Sequence, residues 1–139
     1  REYLWNKARP FLLSGSAPPA TVAACIASIE LLESDGSLVT KLWENTKYFK
    51  GCLASMGFDT GESETPITPI MLGDSGLAQD FASEMFREGV FGIPIVYPMV
   101  KQDKARIRTM VTAAHTKDDL NEALSAIEKV GKKLGVGKK

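Results

Sequence analysis

Apolar positions recur every three or four residues over long stretches of the chain and every second residue over short ones. In "SGSAPPATVAACIASIELLES", Val22, Ile26, Ile29 and Leu32 fall at helical spacing. Ser16 stands at the N-cap position and prolines occupy the first turn, so a helix packed on a core is expected. A turn at Asp35-Gly36 leads into a second amphipathic helix through Leu38, Leu42, Phe49, Leu53 and Met56, closed by Gly57. The rhythm then shortens. Phe58–Thr60 and Ile67–Leu72 read as strands around a polar Gly/Glu/Ser turn. Asp74 or Ser75 caps a third helix in which Leu77, Phe81 and Met85 recur four apart, with Gly89 at its end. "VFGIPIVYP" reads as a strand, and Pro94 argues for an edge position or a bulge. "ARIRTMV" is the next strand. Thr116 with Asp119 forms a capping box for a last helix whose apolar face is Leu120, Leu124, Ile127, Val130 and Leu134.

Helices and strands mix without a regular βαβ repeat. The expected fold class is therefore α+β, with helices packed on a small, mainly antiparallel sheet. At 139 residues the chain suits one domain with a real core. The opening "REYLWNKARP" reads as a continuing helix and lacks a starting Met, which points to a piece of a longer protein. The tail "GKKLGVGKK" is expected to fray.

Composition narrows the function classes. With 44% hydrophobic and 24% charged residues, the chain has the make-up of a folded soluble protein. Seventeen basic residues balance seventeen acidic ones, so nothing points to nucleic acid or an anionic membrane as partner. No apolar run reaches the roughly 18–20 residues of a membrane span. Cys25 and Cys52 lie in helical patterns without CxxC spacing and read as reduced, buried and inert, which fits the cytoplasm.

Candidate chemistry concentrates in "DKARIRTMVTAAHT". Strand alternation puts Arg106, Arg108 and Met110 on one face and Ile107, Thr109 and Val111 on the other. A half-buried guanidinium needs an anionic partner, either a protein carboxylate or a ligand. Pairing of one arginine with a protein carboxylate is the default, and one structural and one functional arginine is a reasonable division. A carboxylate ligand suits arginine because the planar guanidinium donates two parallel hydrogen bonds. No metal site is expected, since His115 is the single histidine and has no second ligand at a usable spacing. His115 itself reads as a strand-end or helix-cap residue, and Tyr97-Pro98 as the end of a strand. No G-x-S-x-G nucleophile elbow occurs. "LLSGSAPP" lacks the phosphate-loop lysine and glycine spacing, leaving a helix start with two hydroxyls that either caps itself or receives a phosphate.

The segments "ARPFLLSGSAPPATVAA", "PITPIMLGD", "VYPMV" and "KARIRTMVTAAHT" resemble, in order and spacing, the C-terminal part of the α-oxoamine synthases. These pyridoxal-phosphate enzymes have the aspartate-aminotransferase fold and condense an amino acid with an acyl-CoA. Within the group the likeness is read as strongest to the glycine C-acetyltransferases, also called 2-amino-3-ketobutyrate CoA ligases. Residues 1–139 would then be the small C-terminal domain of such an enzyme, with residues 1–16 a linker from the large cofactor domain. The implied substrates are glycine and acetyl-CoA, the implied cofactor is pyridoxal 5'-phosphate, and the implied setting is threonine degradation.

By that resemblance Arg108 binds the amino-acid carboxylate and Arg106 is structural. The Ser14–Ser16 segment would carry the hydroxyl that contacts the cofactor phosphate in the neighbouring subunit of a homodimer. Leu13, Gly15 and Ala17 depart from the usual family form of that segment. The family's Schiff-base lysine lies upstream of Arg1, so the piece alone is expected to be inactive. The alternatives are another α-oxoamine synthase (8-amino-7-oxononanoate synthase, 5-aminolevulinate synthase or a serine palmitoyltransferase) or a non-catalytic α+β binding module.

Overall fold

The computed structural model describes residues 1–15 and 17–137. The chain divides into two compact units, Arg1–Gly36 and Ser37–Lys139. The first holds α1 (Glu2–Lys7), α2 (Arg9–Leu12) and α3 (Pro19–Ser34). The opening segment is two short helices rather than one, with Ala8 extended between them. A continuous helix would drive the Pro10 ring against the carbonyl four residues back, and Pro10 has no N–H to bond it.

The apolar stripe of α3 is helical, but the expected packing on a core is not found. Val22, Ile26, Ile29 and Leu32 are 42%, 51%, 57% and 49% exposed, and no residue of this helix is buried. One long helix and two short ones enclose no interior. Cys25 is exposed for the same reason, against the expectation of burial, and Cys52 is half-buried. Pro18 stands at the N-cap of α3, and Ser16 lies outside the described residues.

The second unit contains the core. It runs α4 (Ser37–Ser55), β1 (Ile67–Gly73), α5 (Ser75–Arg87), β2 (Ile93–Ile95), β3 (Ala105–Met110) and α6 (Lys117–Leu134). Gly57, at φ 82°, closes α4 while the Phe58 N–H bonds the Leu53 carbonyl. The Asp74 carboxylate accepts the Leu77 N–H at 2.7 Å and caps α5. Both halves of the expected capping box are formed at the start of α6. Buried Phe49 and Leu53 of α4, Phe81 and Met85 of α5, Ile70 and Ile107 of the sheet, and Leu124, Ile127 and Val130 of α6 form one core. Phe58 joins it with its ring edge-to-face on Phe81.

Two expectations fail locally. Phe58–Thr60 is a loop: the Asp59 carbonyl takes one bond from the Met71 N–H, but its carboxylate turns back to the Gly61 N–H and no ladder forms. The tail is packed through Gly137, because the Val136 N–H bonds the Gly131 carbonyl and both glycines lie against Phe58.

The sheet order is β1-β3-β2, and both pairs are antiparallel. Pro69 opposes Arg108 on β1, and Pro94 opposes Ile107 on β2. The Met71 N–H points outward to Asp59, so Pro69, of the same parity, also aims its nitrogen away from β3. Arg108 then bonds toward β2, and Pro94 likewise faces outward. Neither proline removes a ladder hydrogen bond. Helix α5 packs across all three strands on the face of Ile70 and Ile107. The opposite face is nowhere fully buried.

Candidate functional site

Arg106 and Arg108 stand on that open face, as alternation requires. Arg108 lies between Pro69 and Ile93, and Arg106 between Met71 and Ile95. Central strand β3 is bonded on both sides, so the backbone under each guanidinium is fixed. With Ser63, Thr65, Ile67, Pro69, Ile95 and Val100 the two arginines line a groove of about 350 Å3.

Among the described residues neither arginine forms an ion pair; the four ion pairs join Glu84, Glu88 and Glu128 to Arg87, Lys129, Lys132 and Lys133. Arg106 is half-buried and donates from Nε to the Lys104 carbonyl at 3.1 Å. Arg108 is exposed, and its guanidinium has no partner among the described residues. An unpaired cation among apolar neighbours is suited to an incoming carboxylate, which its five donors receive in a fork.

The Gly61–Pro66 loop walls one side of this groove, and sequence reasoning missed what holds it. Lys50 of α4 donates from Nζ to the carbonyls of Ser63, at 2.6 Å, and Thr65, at 2.8 Å. Asn45 was missed as well. It is buried on α4, and its amide donates to the Thr112 and His115 carbonyls at 3.1 and 2.9 Å. The only signal for either was a polar residue beside the apolar stripe of a helix.

His115 lines a separate, larger cavity of about 470 Å3 with Asp119, Glu122, Phe91 and Met110. Its Nδ1 accepts the Thr112 N–H at 3.1 Å, so the ring fastens the turn between β3 and α6. Hydrogen bonds from the Thr116 backbone and hydroxyl hold the Asp119 carboxyl below the usual range, with His115 contributing. Among the described residues no three His, Cys, Asp or Glu side chains gather in a metal-binding group. No helix there is long and apolar enough to cross a membrane. Ser14 belongs to the first unit, exposed and without a hydrogen bond among the described residues. Tyr97 is exposed in the loop after β2.

Comparison with known proteins places this geometry in a family. Residues 1–127 match the Aminotransferase class I and II family, and the chain belongs to it; this is a family of pyridoxal-phosphate enzymes. Among curated proteins, the chain is 53% identical over 135 residues to an 8-amino-7-oxononanoate synthase of Symbiobacterium thermophilum, covering 97% of the chain and 34% of that protein. It is 52% identical over 136 residues to a Thermus thermophilus protein named 8-amino-7-oxononanoate synthase/2-amino-3-ketobutyrate coenzyme A ligase, covering 98% and 34%. A high-resolution structure of SPT (serine palmitoyltransferase) with PLP superposes with a TM-score of 0.88 at 26% identity, over 97% of the chain and 34% of that protein. The chain thus spans about a third of the length of the curated relatives it matches. The second half of the Thermus protein's name is that of the glycine C-acetyltransferases, while the Symbiobacterium protein carries the 8-amino-7-oxononanoate synthase name alone.

Proposed function

We propose that this chain is the small C-terminal domain of an α-oxoamine synthase, in which Arg108 holds the carboxylate of the amino-acid substrate. One observation carries the reading: a guanidinium without a partner among the described residues, on the central strand of an open sheet face, in a groove lined by Ile67, Pro69, Ile95 and Val100 together with Ser63 and Thr65. The names of the relatives favour the 8-amino-7-oxononanoate synthase reaction, L-alanine with a pimeloyl thioester, over glycine with acetyl-CoA. The doubly named Thermus relative supports the glycine reaction as the second reading.

The chain's own part is to bind and orient. A carboxylate gripped in two places by Arg108 loses its rotational freedom, and the substrate Cα is then presented in one orientation, which lowers the entropic barrier to reaction. Bound pyridoxal phosphate supplies the electron sink for cleavage at that carbon. Toward it the family resemblance points to the Ser14 hydroxyl, which is exposed, unbonded among the described residues and a donor suited to a phosphate oxygen. Ser16 shares that proposal from outside the described residues. Arg106, tied to the Lys104 carbonyl, keeps the structural role. As in the resemblance, the working unit is a homodimer with the active site between subunits. No residue of the chain is assigned a proton transfer.

In the full-length enzyme, Arg108→Ala is expected to raise the amino-acid KM about a hundredfold, within the roughly 2–5 kcal/mol that truncating a hydrogen-bonded charge pair costs. Steady-state assays reading thiol release check it, and an unchanged KM rejects the assignment. The same assay with L-alanine and pimeloyl-CoA against glycine and acetyl-CoA decides between the two reactions.

A further inference from the structure

We infer that Lys50 is a positioning residue for the amino-acid subsite, holding the Ser63–Thr65 wall over Arg108 through the loop's own backbone carbonyls. The inference rests on the reading of Arg108 as the carboxylate holder and extends it to a residue that never touches substrate.

The geometry is specific. The ammonium of Lys50 has three donors, and the loop offers it two carbonyls, at 2.6 and 2.8 Å, with the Ser63 hydroxyl at 3.5 Å. Glu62 and Glu64 flank the same loop, yet Lys50 forms no ion pair with either among the described residues. The charge is spent on main-chain oxygens. Charge-assisted bonds of this kind fix where a backbone runs more firmly than neutral ones do.

Among the described residues, the other hydrogen bonds of Ser63 and Thr65 run only between themselves and to Ile67, where β1 begins. Lys50 is therefore the tie between this wall and the core, since α4 is anchored one position away by buried Phe49 and three away by Leu53. Gly61, at φ 59°, lets the loop fold back across Pro69 and Met71, the neighbours of the two arginines. Without the tie the loop keeps its local turn but loses its distance from Arg108. The groove widens, and a carboxylate held by the arginine is no longer confined on that side.

The test uses the full-length enzyme and four variants, Lys50→Met, Lys50→Gln, Lys50→Arg and Arg108→Ala. Lys50→Met is expected to raise the amino-acid KM about tenfold with kcat within about twofold and an unchanged KM for the acyl thioester, as expected for lost positioning. Lys50→Arg, which still donates to carbonyls, recovers most of the loss. Lys50→Gln gives an intermediate KM and replaces the Met variant if that protein does not fold. An unchanged amino-acid KM in both the Met and Gln variants overturns the inference, as does an equal fall in kcat for every substrate. If Arg108→Ala raises KM and the Lys50 variants do not, only the role of Lys50 is lost. If Arg108→Ala itself leaves KM unchanged, the carboxylate reading falls and the inference with it.

Discussion

Helix α3 and helix α6 are of similar length and both carry an apolar stripe read from the sequence, yet they end in opposite circumstances. Along α6, Leu120, Leu124, Ile127 and Val130 are buried against α4 and α5; along α3, no residue is buried. Periodicity reports that a helix has a face to bury, and not what the face meets. For α6 the covering elements lie within its own unit. For α3 the stripe is broad, since Ala20, Ala23, Ala24 and Ala27 fill the positions between the larger residues, and among the described residues nothing within its own unit covers it.

The contrast can be broken at its strongest point first. Phe81→Ala removes a side chain with no exposure and should cost this chain about 3–5 kcal/mol in urea unfolding. Ile29→Ala, in the exposed stripe, should stay within about 0.5 kcal/mol. Equal losses would mean that the Ile29 side chain is as well covered as that of Phe81. Next comes Gly131→Ala in α6, which helix propensity alone would favour. A Cβ there would sit 2.6 Å from the Phe58 ring and 2.8 Å from the Val136 carbonyl. A loss of about 1–3 kcal/mol is therefore expected, the usual cost of overpacking.

Thr116→Ala removes the cap of α6 and should cost about 1 kcal/mol. No comparable loss is expected at the start of α3, where Pro18 offers no side-chain cap. The smallest effect is electrostatic. A hydrogen bond and charge from Lys133, with Arg87 also close, hold the Glu84 carboxyl below its ordinary range. Its stabilisation is thus present above the unfolded carboxylate value and fades as pH falls through the lower folded one. Thermal melts of Glu84→Gln between about pH 6 and 3 should lose less stability on acidification than the parent.

Much of the second unit was legible because local signals agreed. Asp74, Thr116 and Asp119 mark helix starts by side-chain chemistry, Gly89 marks a helix end by its left-handed backbone at φ 86°, and Pro94 marks an edge strand. Alternation in "ARIRTM" put both arginines on one face, where they stand. The failures share a cause. Phe58–Thr60 looked like a strand because Phe and Thr favour one, but the Asp59 side chain satisfies a nearby N–H and ends the pairing. Lys50 and Asn45 were invisible because their partners are backbone carbonyls 13 to 70 residues away, and a backbone carbonyl has no sequence identity. The family resemblance reached the pyridoxal-phosphate family, whereas its glycine C-acetyltransferase reading is not supported by the Symbiobacterium relative, which is named 8-amino-7-oxononanoate synthase alone.

The two outward-facing prolines have a bearing on solubility. With the imide nitrogens of Pro69 and Pro94 turned to the flanks, neither rim of this small sheet presents an unbroken row of donors. A stray strand from another molecule would find gaps on both sides, so the exposed layer that displays the guanidiniums is shielded from growing into a fibril.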